Sequence, residues 1–188
     1  MILQVPVSVH LDLYRYWDSK RARPAIPARR DIDPAEMRHL LPHLSLVEAT
    51  IEGGFRYRLV GTRVVQDLGR DVTGTPVGAR VKPPAYAASL NAIYARVTAE
   101  RRPLFVSGSY RGPGGITHAI SRLLLPLGEP AMPANMVILS RVTRHSTAVQ
   151  VSSDWLGRGV GTTEREDWVG SAAELEALTA EWERRCAG

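Results

Sequence analysis

YAASLNAIYARVTAERRPLFVSGSYRG, residues 86–112, changes period at Pro103. Before the proline, Tyr86, Leu90, Ile93, Tyr94 and Val97 recur at spacings of four, three, one and three, which lays one apolar stripe along a helix. Arg101 and Arg102 stand at its end, where cations suit the negative pole of the helix dipole. After the proline, PLFVSGSYRG reads as an extended run. Two more follow, THAISRLLLPLG from 117 and ANMVILSRVTR from 134, set apart by the loop signals GPGG and GEPAMP.

Upstream, LSLVEATIEGGFRYRLVG (44–61) reads as a hairpin turning at Glu52–Gly54, with Phe55, Tyr57 and Leu59 on one face and Arg56 and Arg58 on the other. Two strands, a helical crossover and three strands predict an α+β fold: one five-stranded antiparallel sheet with its helices grouped on one face.

The flanks carry further helices. HLDLYRYWDSKRARP (10–24) sets Leu13, Tyr14 and Trp17 on one side and is ended by Pro24; it suits either covering an apolar surface or dimerising. In DPAEMRHLLPHL, Asp33, Pro34 and Glu36 spell an N-cap, a first-turn proline and a capping box, so a short helix is expected up to Pro42. SDWLGRGVGTTEREDW (153–168) reads as a loose linker. The helix after it has a second capping box in Ser171 and Glu174, and a stripe of Leu175, Leu178, Thr179 and Trp182.

The 188 residues, 44% hydrophobic and 23% charged, suit one globular core. The N-terminal apolar run is short, contains Pro6 and lacks a basic start, and nothing elsewhere approaches the roughly 18–20 apolar residues of a membrane span. A cytoplasmic protein without membrane contact is expected. The lone Cys186 excludes a disulfide framework and a cysteine-rich zinc site. Residues 1–145 hold 20 basic against 11 acidic side chains and 146–188 hold 4 against 8, so an acidic tail is expected near a basic body or the body near an acidic partner.

Candidate chemistry is sparse. LGRDVTGTPVG (68–78) approaches the spacing of a phosphate loop, but it lacks the lysine and Pro76 removes a backbone donor, so its glycines read as turns. His39 and His43 have the i,i+4 spacing of a metal pair, broken by Pro42, and no metal site is expected. His118 starts a strand and His10 is isolated in sequence. Ser107 and Ser109 miss the nucleophile elbow, and no acid/base pair stands out, so no enzymatic activity is expected. The arginines between Arg15 and Arg30 come without a nucleic-acid reading motif, and a solvated or partner-facing helix fits them better.

Four separated stretches in order, YW at 16–17, IPARRDIDPAEMRHLLPHLSLVE at 26–48, FRYRLVGTRVVQDLGRDVTGTPV at 55–77 and RLLLPL at 122–127, resemble the compact single-domain PAS family of bacteria, the PAS-like proteins of alphaproteobacteria. The resemblance implies a PAS domain over 26–145, preceded by an amphipathic helix and connector (1–25) and followed by a linker and C-terminal helix (146–188). It implies a sensory module in which the helices and inner sheet face enclose a small, largely apolar ligand, with signals leaving by protein contact and the N-terminal helix serving a homodimer. The pocket would draw on Tyr57, Leu59, Leu90, Tyr94, Val106, Leu123 and Leu125. The partner surface would draw on Tyr14, Trp17, Arg21, Arg23 and Arg30. LGRDVTGTPVG becomes a candidate lid over the pocket. Among PAS cofactors, cysteinyl-flavin photochemistry is disfavoured because that stretch has no cysteine. Haem is disfavoured because helix 86–102 has no histidine. The alternatives are a ligand-free adaptor that docks a signalling protein and a small enzyme on a PAS-like scaffold.

Overall fold

The computed structural model describes residues 8–22, 25–79, 84–111, 117–129, 132–145 and 165–187. Its strands are β1 (Leu44–Ala49), β2 (Phe55–Val60), β3 (Leu104–Arg111), β4 (Thr117–Leu127), β5 (Met136–His145) and β6 (Arg165–Trp168). Its helices are α1 (Ser8–Ser19), α2 (Thr62–Leu68), α3 (Pro84–Glu100) and α4 (Ala172–Ala187). All strands pair antiparallel in the order β2-β1-β5-β4-β3-β6. The α+β arrangement expected from the sequence is present with one strand more. That strand lies in the stretch read as linker: Arg165–Trp168 pairs with Leu104–Ser107 of β3, extending the sheet.

Both faces of the sheet are buried, and different helices cover them. Leu90, Ile93, Tyr94 and Val97 of α3 pack with Val47, Phe55, Leu104, Val106, Leu124, Val137 and Leu139, forming the inner core. Val9, Leu13, Tyr14 and Trp17 of α1, with Leu175 and Trp182 of α4, pack with Phe105, Leu123, Leu125, Leu127, Ile138 and Val142, forming the outer core. Strands covered on both faces read as unbroken apolar runs, which is why RLLLPL shows no alternation.

Local chemistry sets the ends of these elements. The α3 stripe stops at Arg101, whose φ of 53° is the left-handed conformation that closes a helix. Its guanidinium holds the carbonyls of Met132 at 2.7 Å and Glu129 at 3.4 Å, and Pro103 cannot continue the turn. Gly61, between β2 and α2, lies so close to the carbonyls of Leu41 and Pro42 that a Cβ there would overlap them. Its amide donates to Leu44 O at 2.8 Å.

Two local expectations are corrected. Residues 34–43 form a chain of tight turns instead of a helix, and only half of the capping box is made: Asp33 Oδ1 accepts from Ala35 N at 2.8 Å, while the other two groups of the box bond elsewhere. The Asp33 amide donates to Tyr16 Oη at 2.8 Å, and Glu36 pairs with Lys20 at 2.6 Å. Around Gly74–Val77 the chain does more than turn at its glycines. It runs along the outer edge of β2, with Gly74 N donating to Tyr57 O, Tyr57 N to Thr75 O and Val77 N to Phe55 O at 2.7–3.0 Å. An edge strand is covered in this way. The second capping box forms nearly as expected: Ser171 Oγ accepts from Glu174 N, and the Glu174 carboxylate accepts from Gly170 N, one residue before the cap.

The acidic tail does meet the basic body. Arg96 of α3 pairs with Glu166 of β6, and Arg144 of β5 pairs with Glu183 of α4 at 3.1 Å.

Candidate functional site: the inner sheet face

The seven residues proposed to line one pocket are divided between the two faces. Tyr57, Leu90, Tyr94 and Val106 lie on the inner face in or against the α3 core, whereas Leu123 and Leu125 belong to the outer core beneath α1 and α4. Leu59 joins neither and is 46% exposed. The cause is a bulge in β2: Leu46 faces Leu59 but Val47 faces Tyr57, so Arg58 is the extra residue and the alternation slips by one. Phe55 and Tyr57 stay inside and Leu59 turns out. For Leu123 and Leu125 the ambiguity was that of three consecutive leucines; the one that faces α3 is Leu124.

Pairing register identifies the rest of the inner face. Val106 faces Arg122, which faces Arg141, and one step on Gly108, Ile120 and Thr143 align. Since Val106, Leu124 and Leu139 all touch α3, strand alternation places Arg122, Arg141 and Thr143 on the same face. Arg122 is 7% exposed and Thr143 is buried. Arg141 Nε donates to Thr143 Oγ1 at 3.3 Å. His118 is on this face too, opposite His145 at the far end of β4. The inner face thus has an apolar part closed by α3, with the Phe55 and Tyr94 rings 5.5 Å apart, and a polar part led by two arginines. Sequence reading missed these arginines, although each interrupts an apolar strand, SRLLL and ILSRV.

The proposed partner residues are mostly engaged. Tyr14 and Trp17 are buried in the outer core, and Trp17 Nε1 donates to Pro126 O at 2.9 Å. Arg21 stacks over the Trp17 ring and pairs with Asp18 at 3.2 Å. Arg30 is 71% exposed and pairs with Glu129, while Arg23 lies outside the described residues.

The outer face holds a polar group that sequence reading passed over. His10 of α1 is fully enclosed, 2.6 Å from Ser140 Oγ and 2.9 Å from Ser121 Oγ through its two ring nitrogens, with Phe105 edge-on. A neutral imidazole donates through one nitrogen and accepts through the other, so two serine hydroxyls satisfy it completely. Burial, aided by Arg144, pushes its pKa down to about 3. Cys186 of α4 packs against the same core, and burial pushes its thiol up to about 11.

Two surface cavities lie elsewhere. One of about 370 Å³ sits at the β1–β2 hairpin, where Glu48 already pairs with Arg56. The other, of about 10 Å³, lies between β3 and α4 beside Trp182. Among the described residues no group of three His, Cys, Asp or Glu side chains is arranged to hold a metal, and no helix is long and apolar enough to cross a membrane.

The chain is similar in structure to the PAS domain of Bordetella pertussis BvgS, at 20% identity and a TM-score of 0.47, over 60% of this chain and 87% of that one. It is also similar to VqmA of Vibrio cholera, solved as a ligand–DNA complex, at 16% identity and a TM-score of 0.46, over 78% of this chain and 67% of that one. No curated protein matches it at a significant level. The PAS domain family profile matches residues 6–139, a span that takes in α1 and runs into β5. With most of the chain inside that match and a five-strand core in the order β2-β1-β5-β4-β3 faced by α3, this protein belongs to the PAS domain family.

Proposed function

We propose that this PAS domain is a sensory module that takes a small molecule on its inner sheet face and passes its state by protein contact through α1 and α4. PAS domains as a class are sensory, ligand-binding or interaction modules. The observation that supports ligand binding here is the polar half of the inner face. A buried Arg122 beside Arg141 and Thr143 costs stability in a core that apolar side chains would fill more cheaply. A ligand that interacts unequally with two arrangements of the domain shifts their populations by that difference.

The route outward runs through β6. Arg96 of α3 pairs with Glu166, and Arg96 and Arg102 both lie over the Trp168 ring, at 5.4 and 5.3 Å. Arg165 at the other end of β6 holds Glu181 of α4 at 2.8 Å. A change in α3 therefore reaches α4 through one short strand.

A second reading, the ligand-free adaptor, is favoured by the side chains of Phe55, Leu90, Tyr94, Leu124 and Leu139, which fill the space under α3 themselves. Native mass spectrometry of the purified protein, with a thermal-shift screen of metabolites, separates the two. A retained or stabilising small molecule is expected. If none is found and charge reversal at Arg21 and Arg30 abolishes capture of a signalling protein, the adaptor reading replaces the first.

A further inference from the structure

α1 and α3 lie on opposite faces of the sheet, yet both are fastened to one rim of it, the end of β4 and its connection to β5. From the outer layer, Trp17 Nε1 of α1 donates to Pro126 O at 2.9 Å. Arg30, in the segment that follows α1, pairs with the Glu129 carboxylate at 2.7 Å, and Gly128 N donates to Pro27 O at 3.0 Å. From the inner layer, the Arg101 guanidinium at the end of α3 donates to Met132 O at 2.7 Å and to Glu129 O at 3.4 Å. Glu129 is thus held from both layers, by its side chain on one and its carbonyl on the other. The connection is also tight: a Cβ on Gly128 would stand 2.8 Å from Ala134 Cα, so its two arms touch backbone to backbone.

Arg101 is an exception in its backbone as well. Among the described residues it is the one non-glycine with a positive φ, a conformation that a Cβ disfavours and that glycine supplies freely at helix ends. Helix closure alone would be better served by glycine. What glycine lacks is the guanidinium, whose separate N–H arms hold two carbonyls of a neighbouring element. A strained residue of this kind persists where the surrounding structure requires its side chain.

We infer that the β4–β5 connection is a junction between the two layers: Arg101 ties the end of α3 to the segment that also anchors α1 and the chain after it, so a shift of α3 is delivered to α1. The β6 route reaches α4 through Glu166 and Arg165; this one reaches the other flanking helix. Its purpose rests on the sensory reading above, and it names how the state of the inner face leaves that face. Such coupling is reciprocal, so loosening either side of the connection loosens the other.

The test is amide exchange on the full chain, comparing wild type with Arg101→Gly, which adopts the same φ without strain and removes only the guanidinium. Exchange at the bonded amides of Ala28, Asp31 and Ile32, more than sixty positions away in sequence, should accelerate about threefold or more. Arg102→Gln, the neighbouring residue whose guanidinium lies over Trp168 instead, should leave those amides unchanged. A double-mutant cycle of Arg101→Gly with Arg30→Gln in urea unfolding should depart from additivity by at least about twofold in the unfolding equilibrium constant. Unchanged exchange at Ala28–Ile32 in Arg101→Gly, or an additive cycle, would reduce Arg101 to a helix terminator and remove the junction. Equal acceleration by Arg102→Gln would trace the effect to a general loosening of α3 and remove it too. Neither measurement needs a ligand, so a protein that retains no small molecule removes the sensory reading and leaves the junction to stand or fall on these results.

Discussion

The outer face of the sheet buries a neutral imidazole between two serines, and the inner face buries a guanidinium beside another guanidinium. Both are polar intrusions into apolar layers, yet they differ in kind. The outer one is closed: every lone pair and proton of His10 has a partner, and Trp17 ties the other end of α1 to Pro126. The inner one sets two guanidiniums directly across from each other on neighbouring strands, one of them 7% exposed. The difference teaches that α1 is fastened as part of the core, while the inner face carries the charged groups on which the proposed ligand reading rests.

The strongest way to break this contrast is to remove the outer anchor. Trp17→Ala deletes a fully buried indole with its hydrogen bond and should cost about 3–5 kcal/mol in urea unfolding. A loss below about 1 kcal/mol would mean that α1 is a loosely docked helix and the contrast is false.

The next largest effect is on pH dependence. His10 is neutral in the folded protein, with its pKa lowered from 6.5 to about 3, so the unfolded chain takes up the proton first. Stability from this group is complete above about pH 6.5 and is lost as pH falls toward 3, by up to about 1.4 kcal/mol per pH unit. Denaturation midpoints of wild type and His10→Gln measured across that range should converge toward acid. Parallel pH profiles would show that His10 is not enclosed as described.

A smaller change sharpens the comparison at the junction of the two faces. Arg96→Gln loses a half-exposed ion pair and a cation–π contact, and should cost no more than about 1 kcal/mol overall. Amide exchange in Arg165–Trp168 should nevertheless accelerate selectively, because β6 is held to α3 by that side chain. Uniform exchange across the sheet would argue against β6 as the route between α3 and α4.

The smallest effect is kinetic. With its thiol pushed up to about 11 by burial against the outer core, Cys186 should react with iodoacetamide much more slowly at pH 8 than the unfolded chain does. Equal rates would show that the end of α4 does not stay packed.

Element order was legible in the sequence because period is a local property. The α3 stripe, the hairpin around Glu52–Gly54 and the three strands after Pro103 all lie where the period places them. The candidate site was legible only in part. Leu90, Tyr94, Tyr57 and Val106 come together as expected, but Leu59 was misplaced by a bulge that no composition announces, and Leu123 and Leu125 by a strand apolar on both faces. The capping box at Asp33 formed only in part: the Asp33 side chain caps the Ala35 amide, but Tyr16 and Lys20, more than a dozen residues earlier, took the Asp33 amide and the Glu36 carboxylate.

By itself the sequence determined five of the six strands, the long helix and the PAS character of the chain, since these follow from hydrophobic period, turn residues and motif order along a contiguous stretch. Tertiary structure alone decided which face each side chain serves and what it meets there. Arg122 and Arg141 are 19 positions apart and His10 is 111 from Ser121; each pairing exists only through strand register and helix docking, which depend on the whole core being assembled at once.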